Sequence, residues 1–192
     1  MDKVTGRARF AADHFEPGML FGATVRSPHA HAIVRSIGFS RALAMPGVHA
    51  VITGDDFPVP ETKIIELGEA GYVDMQDISD NCIAKGKVFY DGHVVAALAA
   101  ETPHIAIEAA RLIDVEYQLL PPVMTVKEAM AENATVIHET FTPGAFLART
   151  RKVLPNAGGL TLAIGDVVKG FKECDVIIDR VFKHRDGSPG LH

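Results

Sequence analysis

Residues 87–119 read KVFYDGHVVAALAAETPHIAIEAARLIDVEYQL and carry the clearest secondary-structure signals in the chain. Two apolar runs, 87–90 and 94–100, predict strands. They flank Asp91-Gly92, a dipeptide that is typical of tight turns because glycine tolerates positive φ. This part of the chain is therefore predicted to begin with two strands around a turn.

A helix and a further strand are predicted to complete this unit. Thr102-Pro103 is typical of a helix start, with threonine as the cap and proline in the first helical position. Apolar residues at helical spacing extend the predicted helix to Leu112 or Ile113, and residues 114–119 predict another strand. A strand–helix–strand order predicts a right-handed crossover if the two strands are parallel.

Short elements are predicted on both sides of this unit. Met19 to Phe39 reads as two strands separated by Ser27-Pro28, because proline restricts its own backbone and that of the residue before it. The stretch from Pro58 to Asp80 has no sustained period and is predicted to be a long loop. The other predicted elements are a helix over 41–45 capped by Ser40, a strand over 48–53, a turn at 54–56, a helix over 125–130 capped by Thr125, a helix over 167–171 capped by Asp166, and a strand over 176–182.

The composition is that of an ordinary globular protein. Of the 192 residues, 47% are apolar and 22% are charged, which predicts a buried core and argues against disorder. The net charge is −5 and no basic stripe stands out, so nucleic acid and anionic membranes are poor candidates for partners. No apolar run approaches the ~20 residues of a membrane span, and no signal peptide follows Met1. We therefore expect a cytoplasmic protein without a membrane span.

Histidines near the first predicted strand are the best candidates for metal ligands. His29 and His31 are two residues apart, so on a strand both side chains would face the same way. Imidazole suits zinc or nickel, and a third ligand would have to come from His93, Asp91 or His49. The alternative is that the two imidazoles bond backbone carbonyls at a strand entry. We favour this alternative because two ligands fix neither the metal nor its geometry.

Two further pairs of residues have the types needed for catalysis. Ser27 beside His29 could be a nucleophile and its base, but nothing around them resembles a nucleophile elbow. Asp114 and Glu116 lie on one face of a predicted strand and could act as paired carboxylates. Such a face more often meets solvent, so a structural role is favoured for both pairs.

Three other features have weaker functional interpretations. The turn Asp91-Gly92-His93 either faces an interface or is simply solvated, and we favour the solvated turn. Gly158-Gly159 lacks the sequence context of a nucleotide-binding loop. Cys82 and Cys174 are far apart in the sequence and are predicted to be free thiols, buried or half-buried, in a reducing compartment.

Five segments of the chain, taken in order, form a recognisable combination. They are KVTGRARF (3–10), PGML (17–20), RSPHAHA (26–32), YDGHVVAA (90–97) and VEYQLLPPV (115–123). Together they resemble the opening domain of the molybdenum hydroxylase large subunits, a family that includes xanthine dehydrogenase, aldehyde oxidase and aerobic carbon monoxide dehydrogenase. Most members carry Gly-Gln-Pro-Val where this chain has Gly92-His93-Val94-Val95. This variant looks more like the carbon monoxide dehydrogenase branch.

The resemblance implies a fold and a division of the chain. The fold is α/β in the mixed α+β sense, namely the α/β hammerhead domain, over residues 1–139. Residues 140–192 would be a linker and the start of a truncated molybdopterin-binding region. The family implies hydroxylation at a molybdenum centre, with electrons leaving through iron–sulfur clusters and FAD.

The resemblance assigns no catalytic, cofactor-binding or metal-binding residue to this chain, because the segments that hold the pterin and the catalytic glutamate have no counterpart in it. We therefore expect no cofactor on this chain alone and a structural role in the large subunit. The implied partners are the remaining molybdopterin-binding domains or chain, an iron–sulfur subunit and a flavin subunit. This hypothesis predicts an exposed apolar patch.

Two alternatives remain open at this point. One is a stand-alone binding module that retained the hammerhead fold, in which residues 176–182 would pair in the sheet. The other is a small metal enzyme that uses His29, His31 and His93.

Overall fold

The computed structural model describes residues 2–59, 64–68, 71–139, 156 and 164–182. Its strands are β1 (Phe21–Arg26), β2 (Ala32–Gly38), β3 (Val48–Thr53), β4 (Ile64–Gly68), β5 (Gly71–Asp74), β6 (Lys87–Val88), β7 (Val94–Ala100) and β8 (Asp114–Leu119). Its helices are α1 (Ser40–Leu43), α2 (Met75–Cys82), α3 (Pro103–Ala110), α4 (Val126–Ala129) and α5 (Val167–Glu173), with 3₁₀ turns at Ala11–Asp13 and Gly54–Asp56.

Antiparallel pairing arranges these strands into three sheets within the described residues. The first sheet has the order β1-β7-β3, the second has the order β6-β2-β8, and the third pairs β4 with β5. The predicted mixture of short strands and helices is confirmed.

Strand β7 lies at the centre of the core and contributes to both of its halves. Val95 packs with Ala32, Ala84 and Val88 between the first two sheets. The residues that follow it, Ala96, Leu98 and Ala100, pack beneath α3 with Ala106, Ala109 and Ile113. Because both faces of β7 are covered, its sequence is a continuous apolar run rather than an alternating one.

The predicted helix start at Thr102-Pro103 is confirmed. The Thr102 hydroxyl accepts a hydrogen bond from the Ile105 N–H at 3.2 Å, and Pro103 is the first helical residue. Helix α3 ends at Ala110, two to three residues before the predicted end.

The chain does not make a parallel crossover after α3. Strand β7 belongs to the first sheet, whereas β8 belongs to the second and pairs antiparallel with β2. The condition for a right-handed crossover, two parallel strands in one sheet, is therefore not met. Strands β1 and β2 likewise lie in different sheets.

Of the other three predicted helix caps, two are confirmed. Thr125 and Glu128 form a capping box at α4, in which the Thr125 hydroxyl accepts from the Glu128 N–H at 3.1 Å. Asp166 caps α5 by accepting from the Lys169 N–H at 2.9 Å. The prediction for Ser40 is wrong, because Ser40 is itself the first residue of α1 and no side chain caps that helix.

Two predictions of chain organisation are wrong. The stretch from Pro58 to Asp80 contains β4, β5 and most of α2, and each of these elements is too short to set up a clear period. Residues 176–182 form no strand, and their large apolar side chains are exposed. Alternating apolar residues need a neighbouring strand to form a ladder, and none among the described residues pairs with them.

Candidate functional site

Ser27 lies directly after β1, where the chain leaves the first sheet. Its N–H donates to the carbonyl of His93 at 2.9 Å, and its carbonyl accepts from the Gly92 N–H at 2.9 Å. Its buried hydroxyl accepts from the His29 N–H at 3.0 Å and donates to the His29 carbonyl at 3.1 Å. The hydroxyl therefore bonds the backbone of His29, which supports a structural role for Ser27 rather than a nucleophilic one.

The buried ring of His31 connects the link between β1 and β2 to the segment that follows β8. Nδ1 donates to the carbonyl of Pro121 at 2.8 Å, while the His31 carbonyl accepts from the Leu120 N–H at 3.0 Å. The predicted bond between an imidazole and a backbone carbonyl is thus confirmed for His31. Its Nε2 atom is buried and meets no hydrogen-bond partner among the described residues.

His29 packs against an aromatic ring. Its imidazole meets Tyr117 edge-on, with the ring centroids 5.0 Å apart and the planes at 79°. Burial raises the pKa of Tyr117, and the Ser27 hydroxyl opposes this shift. His29 and His31 therefore both serve the packing of the second sheet, with different partners.

His93 is fully buried at the start of β7. Its Nδ1 accepts from the Phe89 N–H at 3.3 Å, and its ring stacks on Tyr90 with centroids 4.3 Å apart. Since Nδ1 accepts, the proton of the neutral ring lies on Nε2, which is buried without a hydrogen-bond partner in the described part of the chain. The favoured interpretation of this turn as solvated is wrong for His93, although Asp91 is exposed.

The surroundings of His93 favour its neutral form. Burial lowers the pKa of His93, and the nearby imidazole of His138 acts in the same direction. The backbone and carboxylate of Asp80 oppose this shift, although no atom of the described residues meets hydrogen-bond geometry at Nε2. A neutral buried imidazole stacked on an aromatic ring is typical of a structural histidine.

The described residues do not support the metal-enzyme alternative. No group of three or more His, Cys, Asp or Glu side chains among them could hold a metal ion. His49 is exposed and lies 3.3 Å from Glu101, past the far end of β7 from His93. The length of that seven-residue strand, about 23 Å, separates the two histidines.

The two carboxylates of the predicted pair bind different partners. Asp114 and Glu116 are both exposed on β8, as the favoured interpretation predicted. Asp114 forms an ion pair with Arg41, and Glu116 accepts from the Ser36 hydroxyl at 3.3 Å. This arrangement does not support joint acid–base chemistry.

The remaining candidates from the sequence are the two cysteines and Gly158-Gly159. Cys82 and Cys174 are free, as predicted, but the prediction that they are buried is wrong because both are exposed. Cys82 is the last residue of α2, and Cys174 directly follows the last residue of α5. Gly158-Gly159 lies outside the described residues.

Sequence reasoning missed a short strap, residues 135–139, that crosses the Phe89 side of this region. The Lys87 ammonium donates to the Ile137 carbonyl at 2.9 Å and to the Glu139 carboxylate at 3.0 Å. The Asn156 side chain accepts from the Ile137 N–H at 2.8 Å and donates to the Thr135 carbonyl at 2.7 Å. These contacts join residues far apart in sequence, so no local pattern signals them.

The strap completes an aromatic layer over His93. The His138 imidazole stacks on Phe89 with centroids 4.4 Å apart, and Phe89 lies 5.8 Å from the ring of His93. A cavity of about 200 Å³ opens beside this layer, lined chiefly by apolar side chains such as Ile137 and Val123. The layer packs aromatic rings around His93, and no group of metal-ligating side chains occurs there among the described residues.

No helix in the ranges that the structure describes combines the length and apolar character needed to cross a bilayer.

Comparison with known proteins identifies the class of domain that these features define. Residues 5–121 match the family model described as aldehyde oxidase and xanthine dehydrogenase, a/b hammerhead domain. This range includes β1 to β8, the link that contains His29 and His31, and the turn that contains His93. The matched part is more than half of the chain.

Similar proteins and structures agree with this match. The chain is 35% identical over 184 residues to the probable hypoxanthine oxidase XdhD of Escherichia coli, covering 82% of this chain and 19% of XdhD. It is 30% identical over 186 residues to the nicotinate dehydrogenase large molybdopterin subunit of Eubacterium barkeri, covering 96% of this chain and 38% of that subunit. The structure matches CO dehydrogenase from Oligotropha carboxidovorans with a TM-score of 0.61 and 32% identity, over 73% of this chain and 17% of the other.

The chain belongs to the aldehyde oxidase and xanthine dehydrogenase family, and its described body is the a/b hammerhead domain of that family. It spans about a fifth of the length of XdhD. The resemblance drawn from the five sequence segments is thereby confirmed. The narrower expectation of the carbon monoxide dehydrogenase branch stays a prediction, since XdhD and CO dehydrogenase are similar in identity to this chain.

Proposed function

We propose that this chain serves as the structural hammerhead domain of a molybdenum hydroxylase large subunit, against which the cofactor-binding region packs. The observation that carries the proposal is the family match over residues 5–121, in a chain that spans only 19% of XdhD. The region outside the match would carry the catalytic centre. On this proposal, the 192 residues alone do not turn over substrate.

On this proposal, the described residues hold no molybdenum cofactor of their own. No group of three potential metal ligands occurs among them. Their positive-φ glycines stand singly in separate turns, whereas a bound phosphate group usually needs a cluster of backbone N–H donors at a glycine-rich loop or helix start. We assign no residue of this chain to the cofactor and derive no catalytic step from it.

The exposed apolar side chains of residues 164–182 support a role within a larger assembly. Large apolar side chains are exposed throughout residues 164–182, including those of α5 and of the irregular stretch after it. So many large apolar side chains exposed in one short stretch are typical of a segment that another part of a protein covers. A stand-alone module would instead pair residues 176–182 with the sheet, and the described structure shows no such pairing.

The proposal also divides the chain. Residues 1–139 would form the hammerhead domain, with the strap as its last part, and residues 140–192 would lead into the molybdopterin-binding region. The Asn156 side chain bonds the strap, so that one residue of the connecting stretch is anchored on the domain.

The proposed assembly includes the parts that the family implies. These are the remaining molybdopterin-binding domains or chain, an iron–sulfur subunit and a flavin subunit with FAD, in the cytoplasm. The share of each relative that this chain covers, 19% of XdhD and 38% of the nicotinate dehydrogenase subunit, shows that the domain occurs in polypeptides of different length. The cofactor-binding region could therefore follow in the same polypeptide or in a separate one.

Affinity purification from the native host tests this proposal. The chain carries a tag at its N-terminus, and the polypeptides that elute with it or continue from it are identified by mass spectrometry. We expect a molybdopterin-binding region of the same family. Recovery of the 192 residues with no such region, at both low and high salt, would contradict the proposal.

A further inference from the structure

Residues 176–182 combine the side chains of a β-strand with a backbone that pairs with nothing in the described part of the chain. Their sequence is VIIDRVF, in which four of the seven residues are β-branched. Residues of this type and aromatic residues favour strands. No backbone hydrogen bond joins these residues to each other or to any other described residue. We call residues 176–182 the unpaired run.

Both faces that the unpaired run would have as a strand carry exposed apolar side chains. Successive residues of a strand point to opposite faces, so Val176, Ile178 and Phe182 would share one face. Ile177 and Val181 would lie on the other. These five side chains are between 59% and 84% exposed. A strand formed here would therefore bring apolar side chains to both sides of a sheet.

Charge does not select the partner of the unpaired run. Arg180 would fall on the face of Val176, and Asp179 on the opposite face. Neither forms a hydrogen bond or an ion pair within the described residues. The two charges are adjacent and of opposite sign, so together they leave the run without net charge. Recognition would instead depend on the backbone and on the apolar side chains.

We propose that the unpaired run adds as a β-strand to the edge of a sheet in the cofactor-binding region of the large subunit. This inference rests on the proposed function and names the contact through which that region binds this chain. Covering the apolar side chains takes the backbone N–H and C=O groups out of water, and such groups need hydrogen-bond partners. A sheet edge supplies them, whereas an apolar groove alone does not. Adding an extended segment to a sheet edge is a common mode of peptide recognition.

The extent of the family similarity favours this occupant over a second copy of the chain. The family model ends at residue 121, but the similarity to the nicotinate dehydrogenase large molybdopterin subunit covers 96% of the 192 residues. About eight residues therefore lie outside that alignment, and the unpaired run lies inside it whichever end they occupy. The aligned part is 38% of that subunit. The run thus belongs to sequence shared with a longer polypeptide, most of which lies outside the alignment.

Hydrogen exchange followed by mass spectrometry tests the contact. It compares the assembly purified from the native host with the 192 residues alone. We expect the amides of the unpaired run to exchange about 100-fold more slowly in the assembly, because the hydrogen bonds of a sheet must open before exchange. Amides of α3 and β7 are the internal control, since both elements pack in the core of the domain, and they should be protected in both samples.

Proline substitutions in the assembly test whether the backbone makes the contact. Neighbouring N–H groups of a strand point to opposite sides, so at least one of Ile177→Pro and Ile178→Pro removes a hydrogen bond of the proposed sheet. That variant should speed exchange across the unpaired run at least about tenfold. Asp175→Pro is the matched control, because it lies just before the run. The extended backbone of Cys174 (φ −79°, ψ 135°) accommodates a following proline, so exchange should stay slow.

The outcomes separate this inference from the proposed function. Fast exchange of the unpaired run in an assembly that contains a molybdopterin-binding region would overturn the inference and leave the proposed function standing. The inference also fails if Ile177→Pro and Ile178→Pro both behave like Asp175→Pro. Slow exchange in the 192 residues alone that increases in extent with concentration would assign the run to a second copy. Absence of any molybdopterin-binding region from the purified material would contradict the proposed function, and the inference with it.

Discussion

His93 shows how a residue with catalytic potential can serve packing instead. Its ring is enclosed by Tyr90 and Phe89, and its one described hydrogen bond satisfies a backbone N–H. Ser27 and His31 likewise bond main-chain groups. The polar residues of the two turns therefore join the sheets, and their chemistry is that of structural hydrogen bonding.

Replacing His93 by leucine should destabilise the domain. The leucine fills much of the space but leaves the part-buried N–H of Phe89 without its acceptor, which costs about 1–3 kcal/mol. Urea unfolding followed by circular dichroism measures the change. His49→Leu is the matched control, because His49 is exposed and its contact with Glu101 is worth less than about 1 kcal/mol. Equal effects of the two substitutions would contradict the structural role of His93.

Stability should fall as the pH drops below the ordinary pKa of histidine, near 6.5. Burial lowers the pKa of His93 in the folded state, so in that range the unfolded chain binds a proton that the folded chain does not. The loss should continue until the pH reaches the folded-state pKa and then level off. Urea unfolding at pH values from 8 down to 5 measures this dependence. The His93→Leu variant should lack this component, and an unchanged pH profile in that variant would contradict the account.

At the scale of elements, a side-chain hydrogen bond at the N-terminus distinguishes two helices whose sequence signals look alike. Thr102 and Ser40 both precede apolar helical patterns, but only Thr102 accepts a hydrogen bond from its helix. Thr102→Ala should therefore cost about 1 kcal/mol, whereas Ser40→Ala should change the free energy of unfolding by less than about 0.5 kcal/mol. Chemical denaturation of both variants compares them. A larger loss for Ser40→Ala would be inconsistent with the observed α1 start.

The stability of the domain should also be sensitive to the addition of a side chain at Gly54. A Cβ atom on Gly54 would lie 2.5 Å from the carbonyl oxygen of Ala84, which forces backbone to move. Gly54→Ala should destabilise the domain by about 1–3 kcal/mol. Gly22→Ala is the control, because its nearest neighbour, the Leu98 carbonyl, would be at 3.8 Å. Thermal unfolding of the two variants measures the difference, and equal midpoints would contradict the close approach at Gly54.

Local signals predicted the elements better than their pairing. The cap at Thr102, the turn at Asp91-Gly92 and the apolar run of β7 each depend on neighbouring residues, and each could be predicted. The antiparallel pairing of β8 with β2 depends on contacts about 80 residues apart, and no local pattern specifies it. The same reason explains why Lys87 and Asn156 were missed at the strap.

At the scale of the whole molecule, the core lies within the hammerhead body, and the segments at its two ends expose large apolar side chains. The core beneath α3 and around β7 is complete within residues 21–119. Val4, Phe10 and Phe15 near the N-terminus are exposed, as are the large apolar side chains across 164–182. This division fits a domain that folds around its own core and uses its flanking segments to contact the rest of a larger protein.

Molybdenum content is the measurement that tests this account most directly. The protein is purified from its native host through this chain, and molybdenum and pterin are determined per mole of chain. The account predicts about one molybdenum and one pterin per chain, and neither in the 192 residues produced alone. Absence of both from the host protein, when other molybdenum enzymes of the same cells are loaded, would contradict it.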